Sequence, residues 1–463
     1  MPSPTAFILF FMKKISISRR LDSFLVMTAI IISSLLSSCS GDKADVSELL
    51  STVPADASAV VAVNVKNLAE KAGCKIEGSA IVPGKEVEAL FADNDSADID
   101  SQRIRAIFNG DAGIDPTVAL AFLEGSELYI TGFAASPDKF REFVKNEFEG
   151  DFQKTEDVET LGNVALKGNQ FWIHASHRND VSAEQIKRFV SLNEKLSFLS
   201  NAYSEKIASF SHDIEGWANL SSLYNASGMS FQQKAMAGMG LAVLFSDAQD
   251  IAFHADFLPG QLLTSLSVLN SKGAPAKFNL PTDRIDVGLV KNMGESADNI
   301  IALAISPKLI EQLQKDLGDK NIPGMDLLAP ALSALDGTSV IEMAEGAVKG
   351  VVSTKGEATA ALSDLINETL NVTVTKDGKL LRFEQGEMTG NIRNAEVADR
   401  FKGAMCAMVT SSTKFVGHDF RGLPVKDIFS ALIPSEGSMS LEVAVSTEMP
   451  KENFLLTFIK SNN

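Results

Sequence analysis

One local pattern recurs along the chain: a short apolar, β-branched run, a turn or a Ser-Pro step, then an amphipathic stretch. Residues 59–63, Ala-Val-Val-Ala-Val, read as a buried strand and are followed by a short helix to about Gly73. Residues 118–122 and 128–133 read as a hairpin around Glu124-Gly125-Ser126. Ser136-Pro137 then starts a helix with Phe140, Phe143, Val144 and Phe148 on one face and Gly150 at its stop. Residues 300–305 with Ser306-Pro307 repeat the pattern, with Leu309, Ile310, Leu313 and Leu317 on one face. Residues 441–445, with Pro450 before Phe454, Leu455 and Phe458, form a looser third copy. Ser136 and Ser306 lie 170 residues apart and Pro450 follows at a different spacing, which excludes a solenoid. The expected fold is α+β, with antiparallel sheets built from hairpins and helices packed on one face. A duplicated unit fits, one copy over about 54–180 and one over about 213–463.

The amino terminus reads as an address. Lys13, Lys14, Arg19 and Arg20 precede an apolar run over 24–36, too short to span a bilayer. Leu36-Ser37-Ser38-Cys39 follows and resembles a bacterial lipobox, which implies a signal peptide over 1–38, cleavage before Cys39 and acylation of that thiol, palmitate included. The apolar stretch 6–11 precedes the basic pair, the wrong order for a signal, so translation is expected to start at Met12. Lipid chains on Cys39 would hold the protein in a membrane, at about 0.8 kcal/mol per buried methylene. Ser40 after Cys39 suits outer-membrane sorting. Asp42 and Asp45 weakly resemble surface-export signals, interrupted by Lys43, so the periplasmic and surface faces both stay open.

Composition excludes several classes. Lys plus Arg total 42 against 59 Asp plus Glu, a net charge of −17. Residues 1–38 carry four basic groups against Asp22, so their removal takes the charge to −20. Such a body has no electrostatic footprint for nucleic acid. Three cysteines rule out a disulfide scaffold and a four-thiolate metal site. After acylation of Cys39, Cys74 and Cys406 either pair across the halves or stay as free thiols.

Five segments are expected: the signal over 1–38, a polar tether over 39–53, an α+β unit over 54–180, a mainly helical stretch over 181–250, and a second α+β unit over 251–463. In the helical stretch, Ser182 to Gln185 fits a capping box, and Ile186, Phe189, Val190 and Leu196 continue a helix. The Met-, Ala- and Gly-rich residues 231–245 read as a buried or groove-lining helix around Met236, Gly238 and Met239. Hairpins follow at 251–257 with 262–268 and at 372–375 with 380–383.

No catalytic motif emerges. Of the five histidines, His174 and His177 sit where a strand ends, and there i and i+3 face opposite sides. His254 falls on the polar face of an alternating run, and His418 merely adjoins Asp419. Asp93, Asp95, Asp98 and Asp100 fail as a calcium loop, lacking Gly at position six and Glu at position twelve. Asp95-Ser96-Ala97 resembles the short acceptor for O-glycosylation of exported proteins in some Gram-negative bacteria, which would place a glycan on Ser96. Gly238-x-Gly240 lacks the third glycine of a dinucleotide fingerprint, and Gly337-Thr338-Ser339-Val340-Ile341 is no nucleophile elbow. The sequence therefore assigns no catalytic residue, no metal ligand and no cofactor.

With the lipobox at Cys39, Val53-Pro54-Ala55-Asp56-Ala57 leading into the first strand, and Gly113-Ile114-Asp115-Pro116 before the hairpin, the chain is similar to the lipoproteins of domain of unknown function 4836. The resemblance covers most of the mature chain, rests on strand starts and turns, and implies no activity. The expectation is a cell-envelope lipoprotein anchored in the membrane through Cys39, a non-enzymatic binding or structural protein with a protein or glycan partner. The alternative is an envelope hydrolase using Asp or Glu catalysis.

Overall fold

The β-branched runs become strands because their alternate side chains leave water on one face of a pleated sheet. The computed structural model describes residues 46–92, 99–125, 127–148, 150–175, 182–226, 230, 234, 238, 241–293, 296–318, 330–356, 359–414 and 422–461. The protein is α+β and divides into two units. The first holds the chain to Ala226, together with His254–Phe257 and Leu455–Asn463; the second holds Ser227–Phe253 and Leu258–Phe454.

In the first unit, β1 (Ala59–Val63) buries Val60, Ala62 and Val63. A small hairpin of β2 (Lys75–Glu77) and β3 (Ala80–Val82) stands apart. The main sheet adds β4 (Ala119–Glu124), β5 (Glu127–Phe133), β6 (Gln153–Thr155), β7 (Val158–Leu161), β8 (Val164–Lys167), β9 (Gln170–His174) and β10 (Ile214–Asn219). Its antiparallel order is β10-β1-β4-β5-β9-β8-β7-β6. Val61 stands opposite both Gly216 and Ala121, so β1 lies in the sheet interior. The helix Val65–Lys71 starts at Asn64, whose side chain accepts from the Asn67 N–H at 2.9 Å. It buries Val65, Leu68 and Ala69 against Val63, Ile81, Phe108, Leu455 and Ile459. The expected Ser-Pro helix forms over Pro137–Phe148, with Phe140 and Val144 buried against Val164, Leu166 and Phe171.

The second unit begins its strands in β11 (Asp250–Leu258), whose His254–Phe257 stretch belongs to the first, and continues with β12 (Gln261–Leu269). Beyond the small pair β13 (Ser296–Ala297) and β19 (Ile392–Arg393), it contains β14 (Asn299–Ile305), β15 (Leu335–Ala344), β16 (Ala347–Thr354), β17 (Thr373–Asp377), β18 (Leu380–Gln385), β20 (Cys406–Ser411), β21 (Val425–Ser435) and β22 (Ser438–Thr447). The antiparallel order is β12-β22-β21-β20-β14-β15-β16-β18-β17. The second Ser-Pro helix spans Pro307–Gly318, and its Ser306 hydroxyl accepts from the Leu309 N–H at 3.1 Å.

Both units use a glycine beneath a cross-strand phenylalanine. Gly132 opposes Phe171 in the first and Gly350 opposes Phe383 in the second. A methyl on Gly350 would meet the Phe383 ring at 2.1 Å, so only hydrogen leaves room for the ring there.

Three expectations change. The residues 46–53, expected as part of a polar tether, are packed: Val46, Leu49, Leu50 and Val53 are fully buried around the helix Ser47–Leu50. Ser182 precedes a helix, Ala183–Val190, but makes no side-chain cap bond, and the Gln185 amide donates to Glu124 at 3.1 Å. That helix stops at Val190, leaving Leu196 beyond it and exposed; a 3-10 turn, Phe198–Ser200, and the short helix Ser204–Ala208 follow.

Tyr129 lies in an aromatic cluster, stacked on Phe122 at 5.3 Å and on His174 at 4.8 Å, with Phe189 edge-on at 5.2 Å. Burial first, and the Glu127 charge next, push its phenol up to about 12. A raised folded value means that Tyr129 stabilises the fold below the ordinary phenol pKa of about 10 and loses that contribution as pH rises through the folded value. Tyr129→Phe is expected to make the decline in urea midpoint between about pH 10 and 12 less steep. An unchanged decline contradicts the assignment.

Candidate functional site

The polar centre of the first unit is assembled from segments far apart in sequence. Asp213 is the buried base, its side chain 1% exposed. Lys71, at the end of the helix Val65–Lys71, donates to both carboxylate oxygens, at 2.6 Å to Oδ1. Asp213 Oδ2 also accepts from the Phe257 N–H at 2.7 Å, and the Asp213 N–H reaches Asp256 Oδ1 at 3.3 Å. Burial raises the Asp213 pKa, and the Lys71 ammonium and the Phe257 N–H oppose it. Contact of one ammonium with both oxygens describes an ionised carboxylate in a charge-assisted pair.

These bonds set His212 and Glu215 beside His254 and Asp256. The backbone bends at His212 and Asp213 just before β10, so His212 and Glu215 do not follow strand alternation. His254 and Asp256, two apart in β11, share a face. His212 Nδ1 meets Asp256 Oδ2 at 2.7 Å, with the two side chains 34% and 19% exposed. The rings of His212 and His254 stack at 3.7 Å, 9° from parallel. Glu215 is buried, and its Oε1 accepts from the Tyr203 hydroxyl at 2.6 Å. One ligand atom from each of His212, Glu215 and His254 lies within 4.8 Å of the others.

The environments separate these groups electrically. The hydrogen bond to Asp256 raises the His212 pKa against the opposing effect of burial. Burial and the His212 charge lower that of His254. Burial acts to raise Asp256, but the His212 hydrogen bond and charge outweigh it and leave the carboxyl below its ordinary range. Burial raises Glu215, partly offset by the Tyr203 bond. Burial, and then the bond to Glu215, push the Tyr203 phenol up, so it stays neutral and donates.

Of the residues singled out in the sequence, His254 joins this centre and the rest do not. Cys39, Ser96, Asp93, Asp95, Asp98, His177, His418, Asp419, Met236 and Met239 lie outside the described residues. His174 is buried at the end of β9, its Nε2 at 2.7 Å from Glu127 Oε2. Cys74 and Cys406 are free thiols, each with its pKa pushed up by burial, which makes a poor nucleophile. A recess of about 590 Å3 lies by Glu124, Glu127, Glu184 and Arg188. Arg188 is tied to Glu124 there and Glu127 to His174. Alternation puts His254 on a polar face, and its partners His212 and Glu215 belong to no sequence motif. The one available signal was the adjacency of titratable residues in His212-Asp213-x-Glu215 and His254-x-Asp256.

Removing one partner of a buried ion pair strands the other charge, at a cost of about 3–5 kcal/mol. Lys71→Met is expected to lower unfolding free energy by about that much. Adding Asp213→Asn should recover part of it, since the amide oxygen still accepts from Phe257. Urea unfolding checks both; a neutral Lys71→Met contradicts the role.

No protein-family model matches the chain, and no curated protein matches it. Among solved structures, crystal form I of TP0453 is similar at a TM-score of 0.26 and 10% identity, over 76% of this chain and 95% of that one. Form III gives 0.27 and 12%, over 76% and 96%, and form IV 0.28 and 12%, over 76% and 95%. Likeness at this level is below what assigns a shared fold.

Proposed function

We propose that the chain is a cell-envelope lipoprotein, anchored in the outer membrane through acylated Cys39, that works by binding rather than by catalysis. The anchor reading is supported by the order of basic, apolar and small residues before Cys39. Among the described residues no helix is long and apolar enough to cross a membrane. The acidic body should be repelled by anionic head groups. Membership in the lipoproteins of domain of unknown function 4836 fits the same features. The recurrence of strand, Ser-Pro and helix at Ser136 and Ser306 supports an ancestral duplication.

The observation that carries the binding reading is the His212–Glu215–His254 cluster. It is braced by Asp256 and Tyr203 and partly open to solvent through His212. An envelope hydrolase is the second reading: burial raises Glu215 while the His212 bond lowers Asp256, the opposite environments that an acid and a base use. Against it, Glu215 is buried and its Oε1 is already engaged by the Tyr203 hydroxyl.

Labelled palmitate fed to a Gram-negative host tests the anchor. The full-length chain is expected to take up label and to sediment with the outer membrane. Cys39→Ser is expected to lose the label. Label retained by the variant contradicts the anchor.

A further inference from the structure

We propose that His212, Glu215 and His254 form a binding site for a divalent transition-metal ion of the zinc class. The inference rests on the binding reading above and names the ligand of that same centre.

The donor set suits such an ion. Two imidazoles and one carboxylate favour zinc and its neighbours over magnesium or calcium, which prefer all-oxygen shells. The three ligand atoms lie within 4.8 Å of one another, so short side-chain rotations bring them to a common centre. The bond from His212 Nδ1 to Asp256 leaves Nε2 as the ligating nitrogen, the carboxylate–histidine support common at metal sites. Glu215 is braced in the same manner, its Oε1 held by Tyr203, which leaves Oε2 as its second donor oxygen.

The charges also balance. Glu215 and Asp256 supply two negative charges against a divalent ion. The nearby Lys71 ammonium is neutralised by Asp213 and offers no net repulsion. The stacked rings impose one requirement. With planes 9° apart at 3.7 Å, their in-plane lone pairs run side by side, so one ring must tilt to share an ion. Three protein ligands then leave a fourth tetrahedral position open, the arrangement of a site that meets a further ligand rather than of a closed structural knot.

The test uses the full-length chain in detergent, stripped with chelator and titrated with zinc alone by calorimetry, with cobalt absorption reporting geometry. One equivalent is expected, with tetrahedral cobalt bands and no competition from excess magnesium or calcium. His254→Gln and Glu215→Gln should each abolish the bands. Asp256→Asn, which keeps all three ligands, should weaken zinc binding about 10–100-fold. Urea midpoints of the metal-free variants control for folding. No uptake by the wild type, or equal uptake by His254→Gln and wild type, overturns the site. Acylation of Cys39 is read in the same preparations, so failed uptake by a palmitate-labelled chain overturns the metal site and leaves the anchor standing.

Discussion

The first unit turns on one buried ion pair. Lys71 and Asp213 are 10% and 1% exposed, so both charges have lost most of their water. Such a pair stabilises little by itself, because desolvation consumes much of the Coulomb attraction. Its value is positional. A carboxylate that must be satisfied at every oxygen draws in the end of the Val65–Lys71 helix, the entry to β10 and the Phe257 N–H of β11. Breaking any of these contacts leaves a buried charge short of a partner, so each segment's position depends on the others. His212 flanks Asp213 on one side, and His254 and Asp256 precede Phe257 on the other. The polar centre is therefore a by-product of where the charge is buried.

That centre couples burial to chemistry. Two imidazoles in van der Waals contact cannot both be positively charged cheaply, and the pair is pushed apart, His212 upward by its bond to Asp256 and His254 downward by burial and the His212 charge. The proposed divalent ion would be held by the same two imidazoles and Glu215, with Asp256 behind His212. The acid excess of the chain, −17 overall, raises the local concentration of any cation near the surface.

Much of the architecture was legible in the sequence, because strands and capped helices follow local rules. The strand over residues 59–63, the hairpin around Gly125 and the Ser-Pro helices all form where spacing placed them. Local rules failed where a distant partner intervened. Ser182 forms no side-chain cap, and the Gln185 side chain bonds Glu124, 61 residues away. Val46, Leu49, Leu50 and Val53 have helical apolar spacing, a signal outweighed by the polar residues around them. The candidate site was illegible for the same reason. Lys71 and Asp213 are 142 residues apart, and His212 and Asp256 are 44 apart. No periodicity links them, and only the folded sheet makes them neighbours.

The central claim is that this buried pair builds a metal-competent centre from His212, Glu215 and His254. The most direct measurement is anomalous diffraction at the zinc edge from crystals of the chain grown with zinc. The account predicts one strong peak at bonding distance from all three side chains, with Asp256 still on His212. A strong peak elsewhere with none at these residues, or an ordered cluster with no peak at saturating zinc, would contradict it.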